Sequence, residues 1–311
     1  MNFTKKNLIV LYHRPESIAW FEKSIRTIGK FFRFVTSDDI VNYYDGKISL
    51  ENCCHITFDD GHKSIYDHAY PILKKYGLNA SLFVSSSIIK DNDNYWWQKI
   101  DDFNKDMIFN EIASVTNSDV NDLYSLNISY KEVAKQLSLE QIRQIIKSLD
   151  KKNHFEQPRL NINKKELIEL SESGAFTIGS HTVNHPILSN ESNKVAEYEI
   201  SKSLDYLSNL LNRNVNTLAY PNGIPGLDFT QREVDICNNN GVKAAYSCEV
   251  SYFSENDSKL SIPRLEISAG GNLKIGLKLI FLNLFKSKLS NEKVTKNRRK
   301  MHKMINPIKI G

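Results

Sequence analysis

Short apolar runs alternate with longer stretches of helical period along most of this chain. The runs at residues 8–12, 33–36, 55–58, 80–84, 176–179, 218–220, 244–247 and 262–267 predict strands. Between them, residues 63–76 predict a helix bounded by Gly61 and Gly77. Residues 192–211 carry Ala196, Ile200, Leu204, Leu207 and Leu211, an apolar stripe at helical spacing. A third helix is predicted at 230–239, with Gly241 as its terminating glycine. Strand and helix in such alternation predict an α/β fold with a mostly parallel sheet or barrel.

Two stretches break the rhythm. From Trp97 to about Asn161 there are helical patterns, clearest at 101–115 and 139–148, and no strand. This predicts a helical insertion, about 98–161, within one α/β domain spanning 1–271. The segment 272–311 forms a basic, apolar tail. There Leu273, Ile275, Leu277, Leu279, Ile280, Phe281, Leu282, Leu284 and Phe285 are interleaved with Lys274, Lys278, Lys286 and Lys288. Such a helix either docks on the body or lies in a membrane interface, and the following basic cluster would attract anionic lipid.

Composition narrows the picture. At 311 residues and 41% hydrophobic, the chain can bury a sizeable core. Its net charge of +5 is matched by Lys296, Arg298, Arg299, Lys300 and Lys303 alone, which leaves a near-neutral body. No basic face for nucleic acid is expected. Cys53, Cys54, Cys237 and Cys248 include no CxxC pair, so they read as reduced, mostly buried thiols rather than a zinc-thiolate site. The N-terminal apolar run is too short for a signal-peptide core, and no stretch has 18 uninterrupted apolar residues. A cytoplasmic protein is expected, peripheral to the inner membrane face if the tail binds lipid.

Two motifs carry chemistry. Thr57-Phe58-Asp59-Asp60-Gly61 follows a predicted strand. Adjacent carboxylates repel unless a cation sits between them; a divalent ion bound by one leaves its neighbour ionised to take a proton. Alone, this is also an ordinary solvated turn. Gly179-Ser180-His181-Thr182-Val183-Asn184-His185 follows another strand, and imidazoles suit zinc and similar ions. Both motifs stand at carboxy-terminal strand ends, where α/β folds place their sites. One carboxylate and two imidazoles leave a coordination position open for water, which beside a free carboxylate makes a hydrolytic centre.

With these residues the chain resembles the polysaccharide deacetylases of the NodB homology group, carbohydrate esterase family four. Thr57–Gly61 in the form TFDDG and Ser180–His185 in the form SHTxxH match that family's first two motifs. Leu218-Ala219-Tyr220-Pro221-Asn222-Gly223 resembles the third. Tyr12-His13, Trp96-Trp97 and Ile262-Pro263-Arg264 are similar to the bacterial subgroup found with surface-polysaccharide synthesis. The resemblance covers roughly residues 7–268 and implies a distorted (β/α) barrel, a divalent metal with zinc foremost, and an N-acetylated sugar or glycan substrate.

The resemblance implies Asp59 as general base, and Asp60, His181 and His185 as metal ligands. It implies the backbone N–H of Tyr220 as oxyanion donor, with Pro221 and Gly223 shaping the loop. The family's late Leu-x-His is absent near the C-terminus, but Leu11-Tyr12-His13 has that pattern on the first strand. First and last strands are neighbours in a barrel, and some family members look circularly permuted, so His13 is expected as general acid. No arginine precedes Tyr220 as in many members; Arg264 is expected to pair with Asp59 instead. Trp96 and Trp97 either stack on a sugar or pack the core. His62 is near enough in sequence to line the pocket; His55, His154 and His302 are given no role. The implied activity is metal-dependent removal of an N-acetyl group from an amino sugar. A C–N hydrolase acting on a non-sugar amide, and a non-catalytic carbohydrate-binding protein, are the competing readings.

Overall fold

The computed structural model describes residues 6–152 and 157–268, together with 275, 276, 278, 279, 298 and 301. Its strands are β1 (Leu8–Tyr12), β2 (Arg33–Val35), β3 (Cys53–Phe58), β4 (Ala80–Val84), β5 (Phe176–Ser180), β6 (Thr217–Ala219), β7 (Ala244–Tyr246) and β8 (Leu265–Glu266). They pair in parallel in the order β7-β6-β5-β4-β3-β1-β8, with β2 beside the first half of β3. The chain from 262 to 267 links the ends of this series. Ser247 N–H donates to Ile262 O and Ile262 N–H to Ala245 O, both at 2.8 Å, while Leu265 and Glu266 pair with Val10 and Leu11. The result is a distorted barrel of parallel strands wrapped by helices.

Alternate strand residues face opposite ways. Leu8, Val10, Tyr12, Cys54, Ile56, Phe58, Ala80, Leu82 and Val84 pack outward under the helices. Ile9, Cys53, Phe83, Ala219, Ala244, Tyr246 and Ile262 fill the interior. Every residue of β1, β3 and β4 is buried, so these strands read as unbroken apolar runs. Gly179 sits where the interior is tightest: a Cβ there would lie 2.4 Å from the Phe83 ring and 2.7 Å from Thr217 Oγ1.

The outer layer follows the predicted stripes. The helix Asn193–Leu211 is capped by Ser192, whose hydroxyl accepts from Val195 N–H, and buries Ala196, Ile200, Leu204 and Leu207. The helix predicted at 63–76 divides. Ile65–Ala69 forms a π-helical turn, continued by the helix Tyr70–Tyr76. Pro71 has no N–H for the normal ladder, and Tyr70 N–H reaches back to Ile65 O. Pro263 likewise shortens the last predicted strand to Leu265–Glu266, preceded by a bridge from Ile262 to Tyr246.

Between β4 and β5 lie the helices Trp96–Ile100, Lys105–Thr116, Val120–Ser125, Tyr130–Ala134 and Leu139–Lys152. They share their own apolar cluster, including Ile108, Phe109, Ile112, Leu123, Ile142 and Leu149. Of the tail, Ile275 and Leu279 are buried in the main core, and Tyr252 OH donates to Leu279 O at 2.8 Å. Leu273, Leu277 and the apolar run from Ile280 to Phe285 lie outside the described residues. Among the described residues, no helix is long and apolar enough to cross a membrane.

Candidate metal centre and active site

The period-two rows that fill the barrel continue past the strand ends and build its carboxy-terminal mouth. The inward row of β3 runs Cys53, His55, Thr57 and then Asp59; that of β1 runs Ile9, Leu11 and then His13. Gly179 on β5 is followed two residues on by His181; Glu266 comes from β8 and Arg264 from the position just before that strand. These side chains, with Asp60, His185, Trp97 and Asn222, line a cavity of about 650 Å³. Among the described residues, Asp60, Thr182 and His185 are the only ones other than asparagine and glycine with a left-handed backbone, at φ 68°, 66° and 55°. All three belong to the mouth, as expected where backbone strain is kept for function.

Asp60 Oδ1 lies 3.5 Å from His181 Nε2 and 3.4 Å from His185 Nε2. Two tetrahedral ligands bound at ~2.0–2.1 Å stand about 3.3 Å apart, so the spacing suits one small cation. Among the described residues this trio is the one cluster of its kind. Asp60 Oδ1 is a buried oxygen with no hydrogen-bond partner there, as a ligand atom would be. His181 Nδ1 donates to Ala219 O at 2.7 Å, which fixes the tautomer and leaves Nε2 with its lone pair toward the centre. Burial, only partly offset by Asp59 and Asp60, pushes the His181 pKa down to about 4, so the imidazole is neutral and able to ligate.

The loop carrying the histidines is held by Glu199, buried on the following helix. Its carboxylate accepts Asn184 N–H at 2.7 Å and Asn184 Nδ2–H at 2.6 Å. Tyr95 OH donates to Asp60 O at 2.8 Å, and Trp97 stacks on Tyr95 at 4.4 Å while lying 4.3 Å from the His185 ring. Trp96 Nε1–H donates to His185 O. Both tryptophans line the cavity, with Trp97 also serving as a wall for His185.

Asp59 is buried and gripped by Arg264, whose Nη1 and Nη2 donate to its two oxygens at 2.8 Å each. Burial would raise this carboxyl, but the guanidinium and His181 outweigh it and hold the pKa below the usual carboxylate range. Asp59 Oδ2 is 4.0 Å from His181 Nε2, beside the trio but outside it. His13 Nδ1 faces Glu266 Oε1 at 3.5 Å. Desolvation pulls the imidazole pKa down, yet the Glu266 contact and the Asp60 and Asp59 charges prevail and push it up to about 9.

One expected donor is not available. Tyr220 N–H donates to Tyr246 O at 3.1 Å, continuing the β6–β7 ladder, and its hydroxyl is buried against Leu260 O. Tyr220 is therefore a barrel residue. Two positions on, Asn222 lines the cavity with φ 59°, and among the described residues nothing accepts its backbone N–H. Pro221 and Gly223 do not line the cavity. They shape the turn: Gly223 N–H donates to Pro221 O, and a Cβ on Gly223 would lie 3.0 Å from Cys248 N. The sequence signals for the missed residues were a strand-to-turn Asn-Gly for Asn222 and the Tyr-Trp-Trp run for Tyr95.

The other described histidines stay apart from the cavity. His55 is interior, bonded to Val35 O and Ser81 Oγ. His62 faces Ser64 and His68 faces Pro15 O, neither lining the cavity. His154 and His302 lie outside the described residues. Cys53, Cys54 and Cys237 are buried free thiols, and Cys248 is partly exposed in the cavity wall.

A parallel barrel with carboxylates and imidazoles converging at its carboxy-terminal mouth defines the class of barrel hydrolases. The model of the polysaccharide deacetylase family matches residues 48–245, well over half of the sequence, and the chain belongs to that family. His13, Arg264 and Glu266 lie outside the matched stretch. The chain is 23% identical over 244 residues to poly-beta-1,6-N-acetyl-D-glucosamine N-deacetylase of Staphylococcus epidermidis; the alignment covers 76% of this chain and 62% of that protein, just under two thirds of its length. The enzyme of the same name from Staphylococcus aureus is 22% identical over 261 residues, covering 81% and 67%. Among solved structures, Streptococcus pyogenes deacetylase PplD in complex with acetate has a TM-score of 0.58 at 20% identity, covering 85% of this chain and 93% of that one. IcaB from Ammonifex degensii has a TM-score of 0.59 at 17% identity, covering 88% and 96%.

Proposed function

We propose that this protein hydrolyses N-acetyl groups of amino sugars in a surface polysaccharide or its precursor, releasing acetate with the help of a divalent metal. The observation that carries this is the meeting of Asp60, His181 and His185 at ligand spacing with the ionised Asp59 beside them. The two staphylococcal relatives bear names that specify poly-beta-1,6-N-acetyl-D-glucosamine, which makes a β-1,6-linked N-acetylglucosamine chain the substrate to try first.

Asp60, His181 and His185 would hold the ion, and the nitrogen-rich donor set favours zinc. When bound, such an ion supplies Lewis acidity, lowering the pKa of a nearby water and stabilising negative oxygen. Asp59 accepts the proton of the attacking water; Arg264 keeps that carboxylate ionised and aimed. Asn222 N–H donates to the oxyanion that develops on the acetamide. His13, kept protonated by Glu266, delivers a proton to the departing sugar nitrogen. Trp96 and Trp97 give the cavity an aromatic wall of the kind that suits a sugar ring, which favours a carbohydrate over a non-sugar amide.

The test pairs elemental analysis with acetate release from a β-1,6-linked N-acetylglucosamine pentamer. Asp59→Asn should keep its metal and lose turnover by about 10²-fold or more. His181→Ala should lose metal and turnover together. Full turnover in metal-stripped protein, or sugar binding with no acetate released in zinc, contradicts the reading.

A further inference from the structure

The turn that carries Asn222 is tied down by a buried charge that no motif announced. Asp228 is fully buried. Its Oδ2 accepts Asn222 Nδ2–H at 2.6 Å and Ile224 N–H at 2.8 Å, so one oxygen spans the turn at the cavity mouth. Its Oδ1 is paired with Arg298 Nη1, and that guanidinium is also buried. Arg298 Nη2 donates in turn to Lys135 O at 3.2 Å, and Lys135 belongs to the cavity wall built by the helical insertion. Asn190 Nδ2 reaches the same carbonyl at 2.9 Å, while the neighbouring Ser189 N–H donates to Asp228 O at 3.0 Å. One arginine near the end of the chain thus touches both rims of the cavity.

We propose that Asp228, neutralised by Arg298, is a positioning residue that holds the Asn222 turn at the cavity mouth in its left-handed conformation. The physics favours a placement role over a stabilising one. A buried ion pair yields little net stability against an apolar pair of equal volume, yet removing either partner strands a charge. What the pair provides is a fixed acceptor: Asn222 at φ 59° is held by its own side chain, and its backbone N–H is left for a ligand. Arg298 itself is then part of the scaffold that holds this turn. The catalytic consequence rests on the deacetylase reading; the clamp itself does not.

The experiment uses the full chain loaded with zinc. Arg298→Met, Arg298→Lys and Asp228→Asn are compared by hydrogen exchange of the 220–228 segment, by zinc affinity in competition with a chelating dye, and by acetate release from the β-1,6-linked pentamer. Arg298→Met should speed exchange across 220–228, leave zinc affinity unchanged and lower kcat about 10–100-fold with KM within about twofold, as misplacement of a transition-state donor does. Asp228→Asn should do the same, and Arg298→Lys should return most of the turnover. If Arg298→Met does not fold, the Asp228→Leu/Arg298→Met pair removes both charges and the acceptor together and should show the same loss of kcat. Unchanged exchange across 220–228 overturns the proposal, as does a turnover loss explained by lost zinc or raised KM. If the unmodified protein releases no acetate, the deacetylase reading fails while the exchange arm still decides the clamp.

Discussion

Replacing Arg264 with methionine should destabilise the metal-free protein by about 3–5 kcal/mol at neutral pH, and most of that loss should return when Asp59 is changed to asparagine in the same chain. Arg264 and Asp59 are both almost completely buried, joined by two hydrogen bonds of 2.8 Å, with Arg264 Nε–H also given to Ser247 O at 2.9 Å. Methionine fills much of the volume but leaves a carboxylate with no counter-charge in a dry site. Burial then governs Asp59, and its pKa moves from below the usual range to above it. The slope with pH reverses accordingly. In the parent, depressed Asp59 contributes stability above its unfolded pKa and loses it as pH falls through the folded one. In Arg264→Met the raised carboxyl favours the folded state below the unfolded pKa and costs stability as pH rises through the folded value. Urea unfolding followed by tryptophan fluorescence in chelator, at pH 5 and pH 7.5, reads both effects. The double variant should show a coupling of about 2–3 kcal/mol. A single variant within about 1 kcal/mol of the parent at pH 7.5, or a double variant no better than the single, would refute the reasoning.

Two further outcomes follow from the titrating groups. A general acid with a pKa of about 9 predicts that kcat/KM falls as pH rises toward and through that value, at a somewhat lower pH in the metal-loaded protein because the cation offsets Asp60; Glu266→Gln should move this limb down, and a pH–rate profile with an unmoved limb removes His13 from the role. Burial lowers the His55 pKa from 6.5 to about 4, so the unfolded chain binds the extra proton between those values and stability falls on acidification, by about 2 kcal/mol at pH 5 from this group. His55→Gln should flatten part of that dependence in urea midpoints at pH 5 and 8, while His62 and His181, whose pKa values burial also lowers to about 4, keep contributing in the same window, and an equal slope in both proteins would exclude the buried neutral imidazole.

What the sequence made legible follows from burial. Because β1, β3 and β4 are covered on both faces, they appear as apolar runs bounded by turns; β1 and β4 fall where the runs at 8–12 and 80–84 put them, while β3 begins at Cys53, ahead of the run read at 55–58. The same period of two places Asp59 and His13 on inward rows once the strands are known, so a histidine just past the first strand and an arginine just before the last both line the mouth. Pro71 and Pro263 were visible as letters, but their effects, a π-helical turn and a shortened last strand, depend on what each neighbouring carbonyl can reach.

The proposed oxyanion donor shows where reading along the chain stops. Tyr220 and Asn222 both flank the same strand-to-turn corner, and nothing local separates a free N–H from a paired one. The difference lies in the partner strand: β7 pairs Tyr246 with Ala219, and this register commits the next N–H, that of Tyr220, to Tyr246 O. The ladder then ends, and the backbone turns left-handed at Asn222 and Gly223. A paired amide cannot serve an oxyanion without breaking the sheet, whereas an amide just past the last pairing can do so with no loss of backbone hydrogen bonding. The assignment therefore moves by two residues on the strength of a contact made across the sheet. By the same logic the acceptor that fixes this turn, Asp228, and the cation that neutralises it, Arg298, lie too far apart in sequence for any motif to join them.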